Sequence, residues 1–279
     1  MPQIQRNTII DILDHNTNEQ PLVCLTAYTA PFAKLLDPHC DILLVGDSLG
    51  MVLYGMDSTL PVTLDMMIMH GKAVVNSSEK ALVVVDLPYG SYESTKEQAF
   101  ESASRLMKET GCNAVKLVGG RTMAPTIRFL TERGIPVMAH IGLCPQNVNM
   151  LGGYKCQGTT HVEASHLLHD AQAVAQSGAF AIVLECSSKA VSDKIVKTTH
   201  IPVIGIGASP MCDGQILVSE DMLGLSTQQT PKFVKKYEDL ATRIDNAVST
   251  YASEVRWREF PSMQHCYHKP SKALETSES

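Results

Sequence analysis

Short apolar runs recur along the chain and alternate with amphipathic segments, and this alternation restricts the fold more than any other feature. Runs of this length are typical of strands buried on both faces of a parallel sheet. Seven runs are clear and an eighth is weaker: 21–28, 41–48, 81–88, 113–118, 136–142, 180–186, 202–208 and 215–219. Helical patterns lie between most of them, at 30–37, 63–76, 94–110, 121–133, 163–177 and 188–199.

Eight strands that are mostly followed by helices predict an α/β protein, a closed (β/α)8 TIM barrel rather than an open sheet. The segment TIIDILDH at 8–15 has a helical apolar pattern and is expected to close the bottom of the barrel as an N-terminal capping helix. A C-terminal helical extension is expected near 231–256. We predict one catalytic barrel domain over 1–268 and a polar, disordered tail over 269–279.

Local signals also predict where individual helices begin and end. Helix 94–110 is expected to begin with a capping box formed by Ser94 and Glu97, and to end at Gly111. Glycine at the end of a helix favours a left-handed cap because it has no side chain to clash there.

Composition and charge exclude several functional classes. A net charge of −6 argues against nucleic acid or an anionic membrane as a partner. The chain has no apolar stretch near the roughly 20 residues that span a bilayer, and its N-terminus lacks a signal-peptide pattern, so we expect a cytoplasmic protein. The eight cysteines contain no CxxC pair, which favours reduced thiols buried as small apolar groups over zinc ligands or disulfides.

Three of the apolar runs end in a carboxylate where the run breaks into a loop: Asp47, Asp86 and Glu185. Taken singly, Asp47 and Asp86 have a simpler explanation, because aspartate often caps a turn. Together they indicate a site, since the C-terminal ends of barrel strands converge on one mouth. A carboxylate there is costly to desolvate unless a metal, a cation or a substrate compensates its charge.

Two close carboxylates repel unless a cation lies between them, and oxygen ligands favour Mg²⁺, so Asp47 and Asp86 predict a Mg²⁺ site.

Further polar residues end the neighbouring strands. The ammonium of Lys116 would neutralise an anionic substrate, the alternative being a lysine that extends to the surface. His140 lines the mouth or is a hydrogen-bonded core histidine. Glu185 has no basic neighbour in sequence, so we expect it to be unpaired, with a raised pKa that suits acid–base catalysis.

Two glycine-rich segments leave alternatives open. GIGAS at 205–209 lies where barrels often bind phosphate, but it lacks the GxGxxG spacing and is equally compatible with a closely packed strand. LGGYKCQG at 151–158 is too rich in glycine for a helix and indicates a loop that moves or covers a ligand.

The motifs, taken in order, resemble those of the ketopantoate hydroxymethyltransferase family. The resemblance runs from about Thr8 to His268, and the order of VGDSLG, DSTLPVT and GGYKCQG is its most specific part. The matching segments are VGDSLGMVLYGMDSTLPVTLDMMIMH, VVVDLPYGSY, NAVKLVGG, IPVMAHIGLCPQ, LGGYKCQG, LECSS, IPVIGIGAS and CDGQILV.

The resemblance implies a Mg²⁺-dependent barrel enzyme in the first committed step towards pantothenate and coenzyme A. Such an enzyme transfers a hydroxymethyl group from 5,10-methylenetetrahydrofolate to 3-methyl-2-oxobutanoate and forms 2-dehydropantoate. Asp47 and Asp86 match the metal-binding aspartates of the family, and Glu185 matches its catalytic proton acceptor. Asp47, Ser48, Asp86, Lys116 and His140 match positions around the keto acid. The resemblance also implies a homodecamer of two stacked pentamers.

Four positions depart from the family pattern. Val118 stands where the family usually has a glutamate in the metal environment, so the protein carboxylates near the metal fall from three to two. Thr29, Cys144 and Ser209 replace a usual Asp, Thr and Gly. Two alternatives to the hydroxymethyltransferase therefore remain: a related enzyme that makes or breaks a C–C bond in another 2-keto acid, and a non-catalytic paralogue.

Overall fold

Eight parallel strands form a closed barrel in chain order, with the last strand pairing with the first. The computed structural model describes residues 5–15, 20–151, 153, 155–226 and 230–267. The strands are β1 Leu22–Thr26, β2 Ile42–Val45, β3 Leu82–Asp86, β4 Ala114–Val118, β5 Val137–Gly142, β6 Ala181–Glu185, β7 Val203–Ile206 and β8 Gly214–Leu217. The predicted (β/α)8 barrel is confirmed, including the weaker eighth strand.

Helices separate most of the strands. Those in the described part are α1 Ile9–His15, α2 Ala30–Leu36, α3 Leu49–Val52, α4 Leu64–Val75, α5 Lys96–Thr110, α6 Ala124–Thr131, α7 Val148–Leu151, α8 His161–Gln176, α9 Lys189–Thr198, α10 Ser219–Met222 and α11 Leu240–Arg256. Among these residues, no helix combines the length and apolar composition that a membrane crossing needs. The tail predicted over 269–279 lies outside the described residues.

Two predicted helix starts are wrong. The hydroxyl of Thr95, not Ser94, accepts the N–H of Gln98, and Gln98 in turn accepts the N–H of Ser94, so the cap of α5 lies one residue later than expected. The helix predicted near 231–256 begins at Leu240, because Asp239 accepts the N–H of Thr242 and caps the helix there.

A third helix is shorter than expected. The pattern over 121–133 predicts helix throughout, but α6 covers Ala124–Thr131 with Pro125 in its first turn. Proline is favoured in the first turn, where its missing N–H leaves no helical hydrogen bond unmade.

The inside of the barrel is filled by apolar side chains at alternating positions along the strands. Strand residues alternate between faces, so one set faces the barrel axis and the other faces the helices. Ile12 of α1 packs into the inner set, as expected of a segment that closes the bottom. The strand residues of this inner cluster are Leu22, Cys24, Ile42, Leu44, Leu82, Val84, Ala114, Met138, Ala181, Val183, Ile204 and Ile216.

The same alternation carries four polar residues into the mouth. The position two residues beyond Val84, Ala114, Met138 and Val183 is in each case charged or ionisable. These are Asp86, Lys116, His140 and Glu185. In the strand register Asp86 pairs with Lys116. His140 pairs with Val118, two residues beyond Lys116, and Glu185 pairs with Gly142, two residues beyond His140. Each of the four polar residues is therefore close to the next one around the barrel. The barrel's inner face therefore changes from apolar to ionic at its C-terminal end.

All eight cysteines are free thiols. Cys24, Cys40, Cys112, Cys144 and Cys212 are buried, which agrees with the prediction of reduced thiols in the core. The thiols of Cys156, Cys186 and Cys266 differ from these, because they are exposed or partly exposed.

Glu220, at the start of α10, is a buried carboxyl group with an unusual environment. The residue is 5% exposed, and within the described chain its Oε2 has no hydrogen-bond partner. Burial raises the pKa of Glu220 to about 7. The preceding Ser219 fixes this segment to β1, because its backbone N–H donates to Thr26 Oγ1 over 3.1 Å.

This environment predicts a pH-dependent stability. A raised pKa means that the folded state opposes ionisation of Glu220, so stability falls as the pH rises from the ordinary glutamate pKa through about 7. The loss amounts to about 3 kcal/mol. We expect Glu220→Gln to raise the thermal unfolding midpoint at pH 8 much more than at pH 5. Exposed Glu101→Gln serves as the control, and an equal effect of Glu220→Gln at both pH values would contradict the assignment.

Candidate active site

Asp47 and Asp86 form a buried carboxylate pair at the ends of β2 and β3. They are 7% and 2% exposed, and the backbone N–H of Asp47 donates to Asp86 Oδ2 over 3.0 Å. Burial, followed by the negative charge of Asp86, raises the pKa of Asp47 to about 6, although Lys116 and Gln146 oppose this shift. The two carboxylates lie together as predicted, and their mutual repulsion favours a bound cation.

Lys116 compensates part of this negative charge. Its Nζ lies 3.0 Å from Asp86 Oδ1, and the residue is 4% exposed, so the alternative of a surface lysine is wrong. Burial lowers the pKa of Lys116, but the carboxylates of Asp86 and Asp47 outweigh it and the net shift is upward. The ammonium is therefore retained. Asp86 Oδ1 has this ion pair but no partner in hydrogen-bond geometry among the described residues.

His140 links Lys116 to Glu185. Its Nδ1 is 3.3 Å from Lys116 Nζ, and its Nε2 is 2.9 Å from the carbonyl oxygen of Leu143 and 3.3 Å from Glu185 Oε2. An ammonium only donates, so Nδ1 must accept and Nε2 carries the proton of a neutral ring. The expectation that Glu185 is unpaired is therefore wrong, because a histidine on the neighbouring strand reaches it.

Glu185 is held at the edge of this group by a close approach of two backbones. Its side chain is 17% exposed, against 5% for that of His140. The N–H of Leu143 donates to the carbonyl oxygen of Glu185 over 2.8 Å. Gly142 permits this contact, since its φ is +91° and a Cβ there would lie 2.3 Å from the same oxygen. Glu185 is thus both rigidly placed and accessible to a substrate.

A hydrogen-bond network that sequence reasoning missed orients Asp47. Gln146 Nε2 donates to Asp47 Oδ2 over 2.7 Å and to the carbonyl oxygen of Leu87 over 3.2 Å. Tyr92 donates its hydroxyl proton to Gln146 Oε1 and accepts the N–H of Val118 over 3.1 Å. Tyr92 and Gln146 follow the ends of β3 and β5, in the segments GSY and CPQ. This position after a strand end is the sequence feature that could have indicated their place near the site.

Ser48 is also fixed near the carboxylate pair. Its Oγ lies 2.8 Å from the hydroxyl of Tyr28, which follows β1. Burial raises the pKa of Tyr28, so this hydroxyl stays neutral. The structure thus brings together all six residues that the sequence analysis selected, and adds Tyr28, Tyr92 and Gln146.

The donor set limits what metal could bind. Within the residues described, no cluster of three or more His, Cys, Asp or Glu side chains has metal-binding geometry. Val118, 8% exposed, occupies the place where a further carboxylate was expected. Two aspartates suffice for Mg²⁺, which keeps several waters and takes ligands from its substrate. The ion-paired but otherwise unpartnered Asp86 Oδ1 fits such an ion.

The two glycine-rich segments are now better defined. A Cβ on Gly205 would lie 2.9 Å from Cys212 Sγ, which favours the closely packed strand over a phosphate loop. In the segment 151–158, residues 152 and 154 lie outside the described chain. Its C-terminal part pairs with the end of β6 through a bridge between Gln157 and Ser187.

Comparison with known proteins identifies relatives of this arrangement. A family model described as ketopantoate hydroxymethyltransferase matches residues 6–263. A protein of Chelativorans sp. (strain BNC1) named 3-methyl-2-oxobutanoate hydroxymethyltransferase is 58% identical over 258 residues, 92% of each chain. One of the same name from Cereibacter sphaeroides is 59% identical over 257 residues, also 92% of each.

Solved structures share the fold at much lower identity. A phosphoenolpyruvate phosphomutase from Streptomyces platensis subsp. rosaceus aligns with a TM-score of 0.59 and 12% identity, covering 90% of this chain and 88% of its own. A phosphonopyruvate hydrolase in complex with oxalate and Mg²⁺ aligns with a TM-score of 0.58 and 12% identity, covering 92% and 93%. These similarities support the barrel alone. The match over residues 6–263, with relatives near 58% identity, shows that the chain belongs to the ketopantoate hydroxymethyltransferase family.

Proposed function

We propose that this protein transfers a hydroxymethyl group from 5,10-methylenetetrahydrofolate to 3-methyl-2-oxobutanoate and forms 2-dehydropantoate. The observation that carries the proposal is the buried pair of Asp47 and Asp86, with the ammonium of Lys116 beside it, in a chain of this family. A barrel with no reaction to perform has no use for three charges buried at its mouth, since each costs desolvation energy.

Asp47 and Asp86 would hold Mg²⁺, with a 2-keto acid and water as the remaining ligands. When bound, the ion would polarise the ketone and stabilise the enolate that forms after C3 loses its proton. Gln146 keeps one Asp47 oxygen in place, so the carboxylate is oriented before a ligand arrives. Asp86 would contribute Oδ1, which forms the ion pair with Lys116 but has no partner in hydrogen-bond geometry among the described residues.

Lys116 and Ser48 would bind the carboxylate of the keto acid. The ammonium is buried and stays charged, so its attraction to an anion is screened little by water. Ser48 is held by Tyr28 and can donate its own proton to the substrate when Tyr28 donates to Ser48 Oγ. Holding the substrate at two points fixes C3 with respect to the folate methylene, which lowers the entropic cost of the reaction.

Glu185 would accept the C3 proton. His140 carries its proton on Nε2, which donates to the carbonyl oxygen of Leu143 and lies 3.3 Å from Glu185 Oε2, so the imidazole helps to position the carboxylate. His140 is a positioning residue in this account, because it acts through Glu185 and Lys116. The alternative role of Glu185 is to assist opening of the folate ring, and the experiment below separates the two.

We further propose that copies of the chain assemble, as the homodecamer of the resemblance implies. Helix α11 presents an exposed apolar stripe at helical spacing, formed by Ile244, Val248, Tyr251 and Val255, which are 43–58% exposed. A stripe of this kind is typical of a surface that packs against another chain.

The eight free thiols support a reducing compartment, the cytoplasm.

The direct test is an assay of purified protein with Mg²⁺, methylenetetrahydrofolate and 3-methyl-2-oxobutanoate. We expect 2-dehydropantoate to form, and we expect the enzyme to exchange the C3 proton of the keto acid with solvent. Glu185→Gln should lose the exchange, because the amide cannot accept the proton, while Glu185→Asp retains part of it. Absence of product over a broad Mg²⁺ titration would contradict the proposal. Undiminished exchange in Glu185→Gln would assign Glu185 to the folate.

The Val118 position offers a second test. Val118→Glu adds a carboxylate beside the pair of aspartates, and we expect the Mg²⁺ concentration for half-maximal activity to fall by about tenfold. Val118→Gln has the same size without the charge and should leave the requirement near that of the wild type. An equal Mg²⁺ requirement in all three proteins would show that the missing carboxylate is unimportant here.

A further inference from the structure

Cys156 and Cys186 lie on two segments that pair side by side at the C-terminal end of the barrel. The N–H of Gln157 donates to the carbonyl oxygen of Cys186 over 2.8 Å, and the N–H of Ser188 donates to that of Gln157 over 2.9 Å. These bonds form a parallel bridge between Gln157 and Ser187. Cys156 and Cys186 directly precede the bridged residues, so they are neighbours at the spacing of about 5 Å between paired backbones. A disulfide needs a Cα–Cα distance of about 4.4–6.8 Å.

The two thiols also influence each other electrostatically. The pKa of Cys186 is raised, first by burial and then by the neighbouring Cys156. Cys156 is exposed and Cys186 is partly buried. Cys186 also has a φ of +44°, a conformation that is uncommon outside glycine, and its N–H donates to the carbonyl oxygen of Ile206 over 2.8 Å. The position of Cys186 is therefore determined by bonds on both sides.

We propose that Cys156 and Cys186 form a reversible disulfide when the protein meets a low-molecular-weight disulfide such as oxidised glutathione. The exposed Cys156 thiolate attacks one glutathione sulfur, breaks the S–S bond and releases the first glutathione as its thiolate. The Cys186 thiolate then attacks Cys156 in the mixed disulfide and releases the second. Two electrons pass from the cysteines to glutathione, and the two protons end on the released thiols.

This disulfide would restrain the site, because Cys186 directly follows Glu185. In the reduced protein the described hydrogen bonds between the two segments are those of the bridge and one from Ser188 Oγ to the carbonyl oxygen of Gly158 over 2.6 Å. Gln157 also lines a cavity of about 160 Å³ together with Gly142 and Cys144, next to the backbone that places Glu185. A covalent link would hold this segment against β6 and slow the exchange of substrate and product. This consequence for turnover rests on the proposed function, whereas formation of the disulfide does not.

The test treats the full-length protein with oxidised or reduced glutathione and maps its peptides without reduction. We expect a Cys156–Cys186 linked peptide in the oxidised sample that disappears after dithiothreitol. Cys156→Ser and Cys186→Ser should lack it, and Cys266→Ser, which removes the other exposed thiol, should retain it. Stable glutathione on Cys156 with no linked peptide would overturn the proposal, and so would free thiols at both positions.

The second readout is activity. We expect the oxidised wild type to lose most of its activity and to regain it after dithiothreitol, while Cys156→Ser keeps its activity in oxidised glutathione. A linked peptide with unchanged activity would overturn the restraint on turnover. A reduced protein that forms no product would contradict the proposed function instead, and the peptide map would still decide the disulfide.

Discussion

The ammonium of Lys116 lies between Asp86 and His140 at the mouth of the barrel, and the properties of the neighbouring groups follow from it. It forms the ion pair that allows two carboxylates to be buried side by side on β2 and β3. It also obliges His140 Nδ1 to accept, which leaves the imidazole proton on Nε2, where it is donated to the carbonyl oxygen of Leu143 with Glu185 Oε2 3.3 Å away. Removing one partner from a buried ion pair typically costs about 3–5 kcal/mol, because the other charge is left uncompensated. The site is therefore one electrostatic unit that extends over five neighbouring strands.

That unit retains an excess of negative charge, which explains why it suits a cation. Asp47, Asp86 and Glu185 face one ammonium and a neutral histidine, and the pKa of Asp47 is raised by burial and then by the charge of Asp86. With Val118 in place of the family's usual glutamate, this environment has one carboxylate fewer. The backbone N–H of Val118 anchors Tyr92, which holds Gln146 against Asp47. The chain thus orients Asp47 through neutral hydrogen bonds, which add no further repulsion to the pair.

Much of this arrangement was predictable from the sequence, because two periodicities determine it. The alternation of apolar runs with helices predicts the barrel, and the period of two within each strand brings Asp86, Lys116, His140 and Glu185 to the same end. The pairing of His140 with Glu185 was not predictable, since it depends on the register of β5 against β6. Tyr92 and Gln146 were missed for a similar reason: they reach the site from loops, whose paths no periodicity specifies. The start of α5 was missed because Ser94 and Thr95 can both cap a helix, and the less favoured Thr95 does so here.

Binding of a divalent cation by Asp47 and Asp86 can be measured by calorimetric titration of Mg²⁺ into the substrate-free protein. Because the pKa of Asp47 lies at about 6, most of this carboxyl group is protonated at pH 5 and nearly all of it is ionised at pH 8. We expect Mg²⁺ to bind about tenfold more tightly at pH 8 than at pH 5, and binding to be lost at both pH values in Asp47→Asn. Equal affinity at the two pH values, or undiminished binding in Asp47→Asn, would contradict this proposal.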